Sequence, residues 1–186
     1  MSDSSNPSLC DRICAITIGH EGDTLDMTHG DPGNWTGGAV GTGQLRGSKF
    51  GVSAAAYPDT DIGKLTRVDA DAIYRTDYFV PIQGDKLPAP LALLAFDAAV
   101  NNGVERSAKW LQAAAGAAQD GVIGPETLAA IAAVVATRGG AAVCAEMLAA
   151  RMDFMARLPT WKLFGGGWSR RLAMLPFQAM ALVEGH

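Results

Sequence analysis

The stretch PAPLALLAFDAAVNN, residues 88–102, decides the fold because it is apolar on almost every side of a helix. A helix that is apolar all round is buried among other elements. The segment therefore predicts a buried central helix over residues 87–102, with Gly103 as its C-terminal stop. At 186 residues, the chain is long enough to enclose such a helix in one core.

Further helices are expected on both sides of the central one. Apolar periodicity and turn residues predict them over residues 8–20, 67–79, 105–115, 125–137, 140–157 and 168–183. Thr66 and Asp69 resemble a capping box that opens the second of these helices, and Pro81 would stop it. Residues 22–52 are rich in glycine and carry short alternating runs, which predict a loop with a small β-hairpin or meander.

These elements predict a mostly α (α+β) protein with a β-bearing lobe near the N-terminus and a helical C-terminal lobe. The division expected from the sequence is residues 8–86 and residues 87–186. No linker rich in Pro, Ser or charge separates them, so we expect one compact unit. We also expect a monomer.

Composition excludes several classes of protein. A hydrophobic fraction of 48% and a charged fraction of 18% exclude a disordered chain, and a net charge of −4 argues against a nucleic-acid partner. No window holds the roughly 18 apolar residues of a membrane span. The N-terminus lacks the basic region of a signal peptide, which predicts cytoplasmic synthesis. The three cysteines and three histidines lie at no metal-ligand spacing, so buried thiols and neither metal nor cofactor are expected.

Glu21 is the only glutamate among the first 104 residues, and it follows the first predicted helix. Cleavage of a glycosidic bond needs a carboxyl group that protonates the leaving oxygen, with a second carboxylate or a positioned water to complete the substitution. Such a donor stays protonated only if apolar neighbours raise its pKa, and Ile16 and Ile18 are the nearest candidates. The alternative is a solvated carboxylate at a helix end, where negative charge is unfavourable.

The polar residues after Glu21 offer second groups for this chemistry. Asp23, Asp26 and Asp31 could each supply a carboxylate, but their spacing lacks the pattern of a calcium loop. Residues 31–34 also fit a plain turn. Trp35 could stack on a sugar or pack beneath the hairpin.

Several motifs together resemble a known family. They are His20-Glu21-Gly22, Asp31-Pro32-Gly33, Trp35-Thr36, Lys49-Phe50-Gly51-Val52-Ser53, Ile73-Tyr74-Arg75, Asp77-Tyr78-Phe79 and Phe96-Asp97-Ala98-Ala99-Val100-Asn101. Their combination resembles glycoside hydrolase family 108, the phage-type N-acetylmuramidases and endolysins. The later runs Trp110-Leu111-Gln112 and Asp120-Gly121-Val122-Ile123-Gly124-Pro125 resemble the peptidoglycan-binding segment usually joined to it.

The resemblance implies a lysozyme-like fold that cleaves the β-1,4 bond between N-acetylmuramic acid and N-acetylglucosamine. Glu21 falls on the family's catalytic glutamate. Asp31 and Thr36 fall near the Asp and Thr that follow this glutamate in phage-type lysozymes. Thr42 competes with Thr36 for that position, because the segment from Asn34 to Phe50 is longer than the usual glycine-rich turn.

Three residues are candidates for substrate binding: Asn34, Trp35 and Asn101. Asn101 lies four residues after Asp97 on the central helix, which underlies the cleft in a lysozyme-like fold. The alternative for Asp97 and Asn101 is a buried polar pair that forms hydrogen bonds to neighbouring loops. Likewise, residues 110–128 could hold cell-wall glycan or could complete the helical lobe.

The leading hypothesis is an endolysin-like peptidoglycan hydrolase whose partner is the bacterial glycan strand. The resemblance suggests release through a holin-type partner, so that the enzyme acts on the cell wall after cytoplasmic synthesis. Two alternatives stay open. A catalytically inactive cell-wall-binding protein would have no need of Glu21, and a lytic transglycosylase would leave an anhydro sugar in its product.

Overall fold

The computed structural model describes residues 7–19 and 24–184. The helices are α1 (Leu9–Ile18), α2 (Arg67–Tyr74), α3 (Ala89–Asn102), α4 (Val104–Ala114), α5 (Pro125–Arg138), α6 (Gly140–Ala156) and α7 (Trp161–Glu184). The strands β1 (Ser48–Lys49) and β2 (Val52–Ser53) form a two-stranded antiparallel hairpin. Short 3-10 turns span Pro32–Asn34, Ile62–Lys64 and Gly84–Lys86. The predicted mostly helical fold with one small hairpin is confirmed.

The described residues fall into two compact units. The larger unit contains those up to Ile13 together with those from Arg75 onward, and the smaller contains those from Cys14 to Tyr74. The smaller unit holds the hairpin and the glycine-rich segment, whereas the larger unit holds α3 to α7. The predicted division at residue 87 stays a prediction.

Helix α3 is the core of the larger unit. Every residue from Leu91 to Ala99 is buried, and α3 packs against α4, α6 and α7. The helix begins at Ala89, after Pro88. Proline fixes its own φ angle and has no N–H, so Pro88 and Pro90 suit the first turn of a helix, where N–H groups have no partner within the helix. Gly103 ends it at φ +90°, as the sequence predicts, and α4 starts at the next residue.

The hairpin of the smaller unit turns through Phe50 and Gly51. Both have positive φ angles, +53° and +75°, which suit the right-handed twist of a two-residue hairpin. The buried Phe50 is the costly member of the pair, because a bulky residue rarely adopts this conformation. The buried Tyr74 hydroxyl donates a 3.2 Å hydrogen bond to the carbonyl of Phe50, and this bond helps to hold the turn.

Helix α2 opens with the predicted capping box. The Thr66 backbone N–H donates to Asp69 Oδ2 at 3.0 Å, and the Asp69 N–H donates to Thr66 Oγ1 at 3.2 Å. The prediction of one helix over residues 67–79 is wrong in its second half. The α-helix ends at Tyr74, and a π-helical turn over Arg75–Phe79 follows, which brings Phe79 fully into the core.

Helix α7 begins at Trp161, seven residues before the predicted start at residue 168. The prediction was wrong because Gly165, Gly166 and Gly167 are poor helix formers, each about 1 kcal/mol less favourable than alanine in a helix interior. The helix nevertheless runs through all three glycines. A Cβ atom at Gly165 would lie only 2.7 Å from the Trp161 ring, so the indole one turn earlier in the helix leaves no room for a side chain there.

The connection between α4 and α5 is organised by the buried side chain of Gln112. Its amide nitrogen donates to Asp120 Oδ1 at 2.6 Å, to the Val122 carbonyl at 3.0 Å and to Thr127 Oγ1 at 3.2 Å. Its amide oxygen accepts from the Gly121 N–H at 2.9 Å. One side chain therefore holds the loop and the first turn of α5 together.

No single helix in residues 7–19 and 24–184 combines the length and the apolar character needed to cross a membrane. Helices α5 and α6 pass that test only when they are taken together, and they are bent by 116° at their junction.

Candidate active site

The predicted general acid, Glu21, lies outside the described residues, as do His20 and Asp23. Helix α1 ends at Ile18, and Gly19 follows with φ +67°, a left-handed conformation that commonly terminates helices. The glutamate is therefore three residues beyond the last residue of α1 in sequence. Its catalytic role stays a prediction.

The polar segment after Glu21 is closed into a folded loop by backbone pairing. Asp26 and Ser48 exchange two N–H to carbonyl hydrogen bonds of 2.9 Å, and Trp35 forms a second bridge with Leu45. Gly47 sits against this first bridge with φ +79°. A Cβ atom there would meet the Asp26 carbonyl, so only glycine fits. The loop between the bridges thus has a defined conformation.

Asp31 caps the 3-10 turn Pro32–Asn34. Its Oδ1 accepts a 2.8 Å hydrogen bond from the Gly33 N–H, and its side chain is exposed. The turn predicted from the sequence is therefore present. A carboxylate has two oxygens with several acceptor positions, so Asp31 can accept further hydrogen bonds in addition to the one from Gly33. Asp31 keeps acceptor capacity that faces solvent.

Asp26 is the other described carboxylate of this loop. The Thr28 hydroxyl donates to its Oδ1 at 2.6 Å and the Thr28 N–H at 2.8 Å. These two hydrogen bonds, the hydroxyl first, lower the pKa of Asp26. A carboxylate held ionised in this way is suited to shaping the loop and is unsuited to donating a proton.

Asn34 is fully buried at the centre of the loop. Its Nδ2 donates to the Thr28 carbonyl at 3.1 Å, and its own carbonyl accepts from the N–H groups of Arg46 and Gly47 at 2.9 and 3.0 Å. Its Oδ1 is buried and has no protein partner among the described residues. Its contacts therefore hold the loop together, and substrate binding by Asn34 stays a prediction.

Trp35 is half-buried, and both its indole nitrogen and its ring contact His29. The indole Nε1 donates to the His29 carbonyl at 2.9 Å, and the His29 ring meets the indole edge-on at a centroid distance of 4.8 Å. Sugar stacking by Trp35 and its packing beneath the hairpin, the two alternatives from the sequence, both stay predictions.

Thr36 and Thr42 lie on facing sides of one narrow turn. The Gln44 N–H donates to Thr36 Oγ1 at 2.9 Å, and the Gly37 N–H donates to the Thr42 carbonyl at 3.1 Å. Gly43, at φ +77°, lies so close that a Cβ atom there would clash with Thr36 Oγ1. The Thr36 hydroxyl accepts one bond in this turn and still carries a hydrogen to donate. Both threonines remain candidates for the site position.

Asn101 belongs to the other unit, near the end of α3. Its exposed side chain donates from Nδ2 to the Asp97 carbonyl one turn earlier, at 2.7 Å. This bond is local to the helix. Binding of substrate by Asn101 stays a prediction.

Asp97 has partners that the sequence analysis missed. Its side chain is buried and accepts from Arg151 Nη1 at 2.6 Å and from Arg171 Nε at 2.7 Å. The expected hydrogen bonds to neighbouring loops are therefore wrong for Asp97, because α6 and α7 supply the donors. The signal was present: a buried carboxylate needs a cation, and arginine is the basic residue best suited to burial.

Arg151 completes this buried network. It is fully buried, and its Nε donates to Asn102 Oδ1 at 2.8 Å. Burial lowers the pKa of Arg151, and the Asp97 carboxylate opposes that shift. We call Asp97, Asn102, Arg151 and Arg171 the Asp97 network. It joins α3, α6 and α7 through charge, in addition to their apolar packing.

No three His, Cys, Asp or Glu side chains in residues 7–19 and 24–184 lie together as possible ligands of one metal ion. Glu21 and Asp23 are outside these ranges, so the expectation of a metal-free site stays a prediction.

Comparison with known proteins gives the family. Residues 14–103 match the family model described as Glycosyl hydrolase 108, and residues 106–173 match the one described as Predicted Peptidoglycan domain. The structure of Brucella abortus SagA is 30% identical, with a TM-score of 0.71, and the match covers 89% of this chain and 90% of that chain. The chain belongs to the glycosyl hydrolase 108 family. No curated protein shows significant similarity to it.

This membership confirms the resemblance seen in the sequence and fits a lysozyme-like fold. The protein is a member of a glycoside hydrolase family, and its second matched segment relates its function to peptidoglycan. The first family match ends at Gly103, where α3 gives way to α4, so the glycosyl hydrolase 108 segment includes the whole central helix.

Proposed function

We propose that the protein is an N-acetylmuramidase that hydrolyses the β-1,4 bond between N-acetylmuramic acid and N-acetylglucosamine in peptidoglycan. The glycosyl hydrolase 108 match over residues 14–103 carries this proposal, because it spans Glu21 and the whole polar loop. The match to a peptidoglycan domain over residues 106–173 supports the choice of polymer.

In the proposed reaction, Glu21 donates its proton to the glycosidic oxygen as the bond to the anomeric carbon breaks. Asp31, or a water held by Thr36, assists at that carbon, and the water oxygen ends on the new reducing sugar. The exposed Asp31 carboxylate supports the first version. The Thr36 hydroxyl, which has a hydrogen to donate, supports the second, and Thr42 is its competitor for that role.

Trp35 and Asn101 are proposed to contact the substrate. Asn34 is proposed to support substrate binding through the loop that carries Trp35. The Trp35 indole is fixed at one edge by the His29 carbonyl, and a fixed ring loses little entropy when a sugar stacks on it. The buried Asn34 would act by holding the Thr28 to Gly47 part of the loop in shape.

We also propose an endolysin type of action, with cytoplasmic synthesis, release through a holin-type partner and a monomeric enzyme. These points rest on the resemblance to phage-type enzymes alone. A bacteriolytic effect of the protein added from outside to cell walls would agree with them.

A second candidate function is a catalytically inactive wall-binding protein, which the peptidoglycan domain match over residues 106–173 favours. A lytic transglycosylase on the same scaffold is a third. The role of Glu21 distinguishes the wall-binding protein from the hydrolase, since a binding protein does not depend on a general acid. The chemical form of the product distinguishes the lytic transglycosylase from the hydrolase.

Zymography of the purified protein on bacterial cell walls tests the proposal, with Glu21→Gln as the inactive form. We expect a cleared zone with the unmodified protein and none with Glu21→Gln. Clearing by both proteins would contradict the assigned acid, and clearing by neither would favour the wall-binding function.

A further inference from the structure

The glycine-rich segment of the smaller unit contains a short antiparallel ribbon. Trp35 and Leu45 form its bridge, and the Thr36 N–H donates to the Gln44 carbonyl beside it at 2.9 Å. Successive side chains of a strand point to opposite faces, so Thr36, Gln44 and Arg46 share one face of the ribbon. Arg46 is a diagonal neighbour of Thr36 on this face, and such neighbours lie roughly 7–8 Å apart, within reach of a long side chain.

The Arg46 guanidinium is held in place by neutral acceptors. Its Nε and Nη2 both donate to Gln44 Oε1, at 3.0 and 2.8 Å, and its Nη1 donates to the Pro58 carbonyl at 2.9 Å. A guanidinium has five N–H donors, so one hydrogen on each η nitrogen is left for a further acceptor. Because three hydrogen bonds already fix the side chain, little conformational freedom is lost when that acceptor binds.

The four basic residues of the smaller unit have different partners. Lys64 and Arg67 form ion pairs with aspartates three and four residues away in sequence, at 3.0 and 2.9 Å, and Lys49 donates to a backbone carbonyl at 2.9 Å. Arg46 forms no ion pair within residues 7–19 and 24–184. The hydrogen bond from Lys64 is the main cause that lowers the pKa of Asp61, and the charge of Arg46 adds to it from a distance. The Arg46 charge is thus left for a carboxylate from outside the chain.

We propose that Arg46 determines substrate specificity by pairing with a carboxylate carried by the N-acetylmuramic acid unit whose bond is cleaved. This inference rests on the proposed function, in which Thr36 holds the attacking water. N-acetylmuramic acid differs from N-acetylglucosamine by a lactyl ether, which carries either a free carboxylate or a peptide with carboxylates of its own. A fixed guanidinium with one hydrogen left on each η nitrogen can bind both oxygens of such a group.

The net charge of the chain separates this pairing from general electrostatic attraction. The chain carries a net charge of −4, so overall repulsion favours a cell wall from which carboxylates have been removed. Pairing of a wall carboxylate with Arg46 has the opposite consequence, because the contact is lost when the carboxylate is removed. Faster hydrolysis of the wall that keeps its carboxylates is therefore the signature of a specific site.

Hydrolysis of one peptidoglycan preparation in three forms tests the site. The first form is untreated, the second has its carboxylates converted to amides with carbodiimide and ammonia, and the third has its peptides removed by an amidase, which leaves the lactyl carboxylate. For the unmodified protein, conversion to amides should lower kcat/KM about tenfold, mainly through a higher apparent KM. On the third form, a higher kcat/KM for the unmodified protein than for Arg46→Gln identifies the lactyl carboxylate as the partner, and equal values identify the peptide carboxylates.

Two variants and one control connect this preference to Arg46. Arg46→Gln removes the charge and should hydrolyse the untreated and amidated walls at equal rates. Gln44→Glu keeps the guanidinium and both of its hydrogen bonds to residue 44, but the new carboxylate neutralises Arg46. This variant should melt at an equal or higher temperature and still lose the preference. Lys64→Gln removes one positive charge from the same unit and should keep the preference of the unmodified protein.

The outcomes distinguish the role of Arg46 from the function on which it rests. Equal hydrolysis of untreated and amidated walls by the unmodified protein would overturn the role of Arg46 and leave the proposed function in place. A preference for the untreated wall that persists in Gln44→Glu and in Arg46→Gln would do the same. No hydrolysis of any form by the unmodified protein would overturn both.

Discussion

At the scale of single residues, the proposed chemistry depends on the proton of Glu21. Glu21→Gln keeps the shape of the side chain and removes the proton, so hydrolysis of peptidoglycan should fall about 10²- to 10⁴-fold. The rate of release of soluble fragments from dye-labelled cell walls measures this. Glu146→Gln, on the exposed part of α6, is the control and should keep full activity. Equal rates for Glu21→Gln and the wild type would remove Glu21 from the mechanism.

Asp31 should matter more for turnover than Asp26. In Asp31→Asn the amide oxygen can still accept the Gly33 N–H, so the cap survives while the negative charge proposed to assist at the anomeric carbon is lost. We expect turnover to fall about tenfold or more for Asp31→Asn, and less for Asp26→Asn, with melting temperatures measured alongside. Equal and mild losses in both variants would show that Asp31 is only a turn residue.

The candidate site was partly predictable at this scale. The turn at Asp31 and the polar loop follow from local rules for Asp, Pro, Gly and Asn. The burial of Asn34 was not predictable, because it depends on Arg46 and Gly47, which approach only after the loop closes. For the same reason the sequence alone could not choose between Thr36 and Thr42.

At the scale of elements, the Asp97 network joins three helices of the larger unit. Asp97→Ala should lower the free energy of unfolding by about 3–5 kcal/mol, because it leaves the buried Arg151 without its counter-charge. Urea denaturation measures this value. Asp153→Ala, an exposed position on α6, should change it by less than about 0.5 kcal/mol. A loss for Asp97→Ala as small as that of the control would contradict the role of the network.

The loop between α4 and α5 should weaken in acid. Hydrogen bonds from the Val122 N–H and from Gln112 lower the pKa of Asp120 below its ordinary 3.8. Its contribution to stability is therefore complete above pH 3.8 and is lost as the pH falls through the lower, folded-state pKa. Asp120→Asn should flatten this acid limb in urea denaturation series between about pH 4 and pH 2. An acid limb identical to that of the wild type would show that the shift has no effect on folding.

Helix positions were largely predictable from local signals. The stop at Gly103, the start at Pro125 and the capping box at Thr66 are local signals, and all three are present. The early start of α7 runs through three glycines that local propensity disfavours, and the π-helical turn after Tyr74 carries Phe79 into the core. Local propensity predicts neither feature, and it also cannot predict the partners of Asp97, which lie 54 and 74 residues later in the chain.

At the scale of the whole molecule, two family matches cover most of the chain. The glycosyl hydrolase 108 match covers residues 14–103 and the peptidoglycan domain match covers residues 106–173. The first includes Glu21 and the polar loop, whereas the second includes most of α4, all of α5 and α6 and the first half of α7. A catalytic segment and a wall-binding segment in one chain would keep the enzyme on its insoluble polymer between successive cleavages.

The identity of the sugar at the new chain end tests the central claim most directly. Purified peptidoglycan is digested with the protein, the products are reduced with borohydride, and the muropeptides are separated and weighed by mass spectrometry. The proposed N-acetylmuramidase predicts reducible N-acetylmuramic acid at the new ends, and no such product with Glu21→Gln. New ends that carry a 1,6-anhydro sugar or N-acetylglucosamine, or no products at all from the unmodified protein, would contradict it.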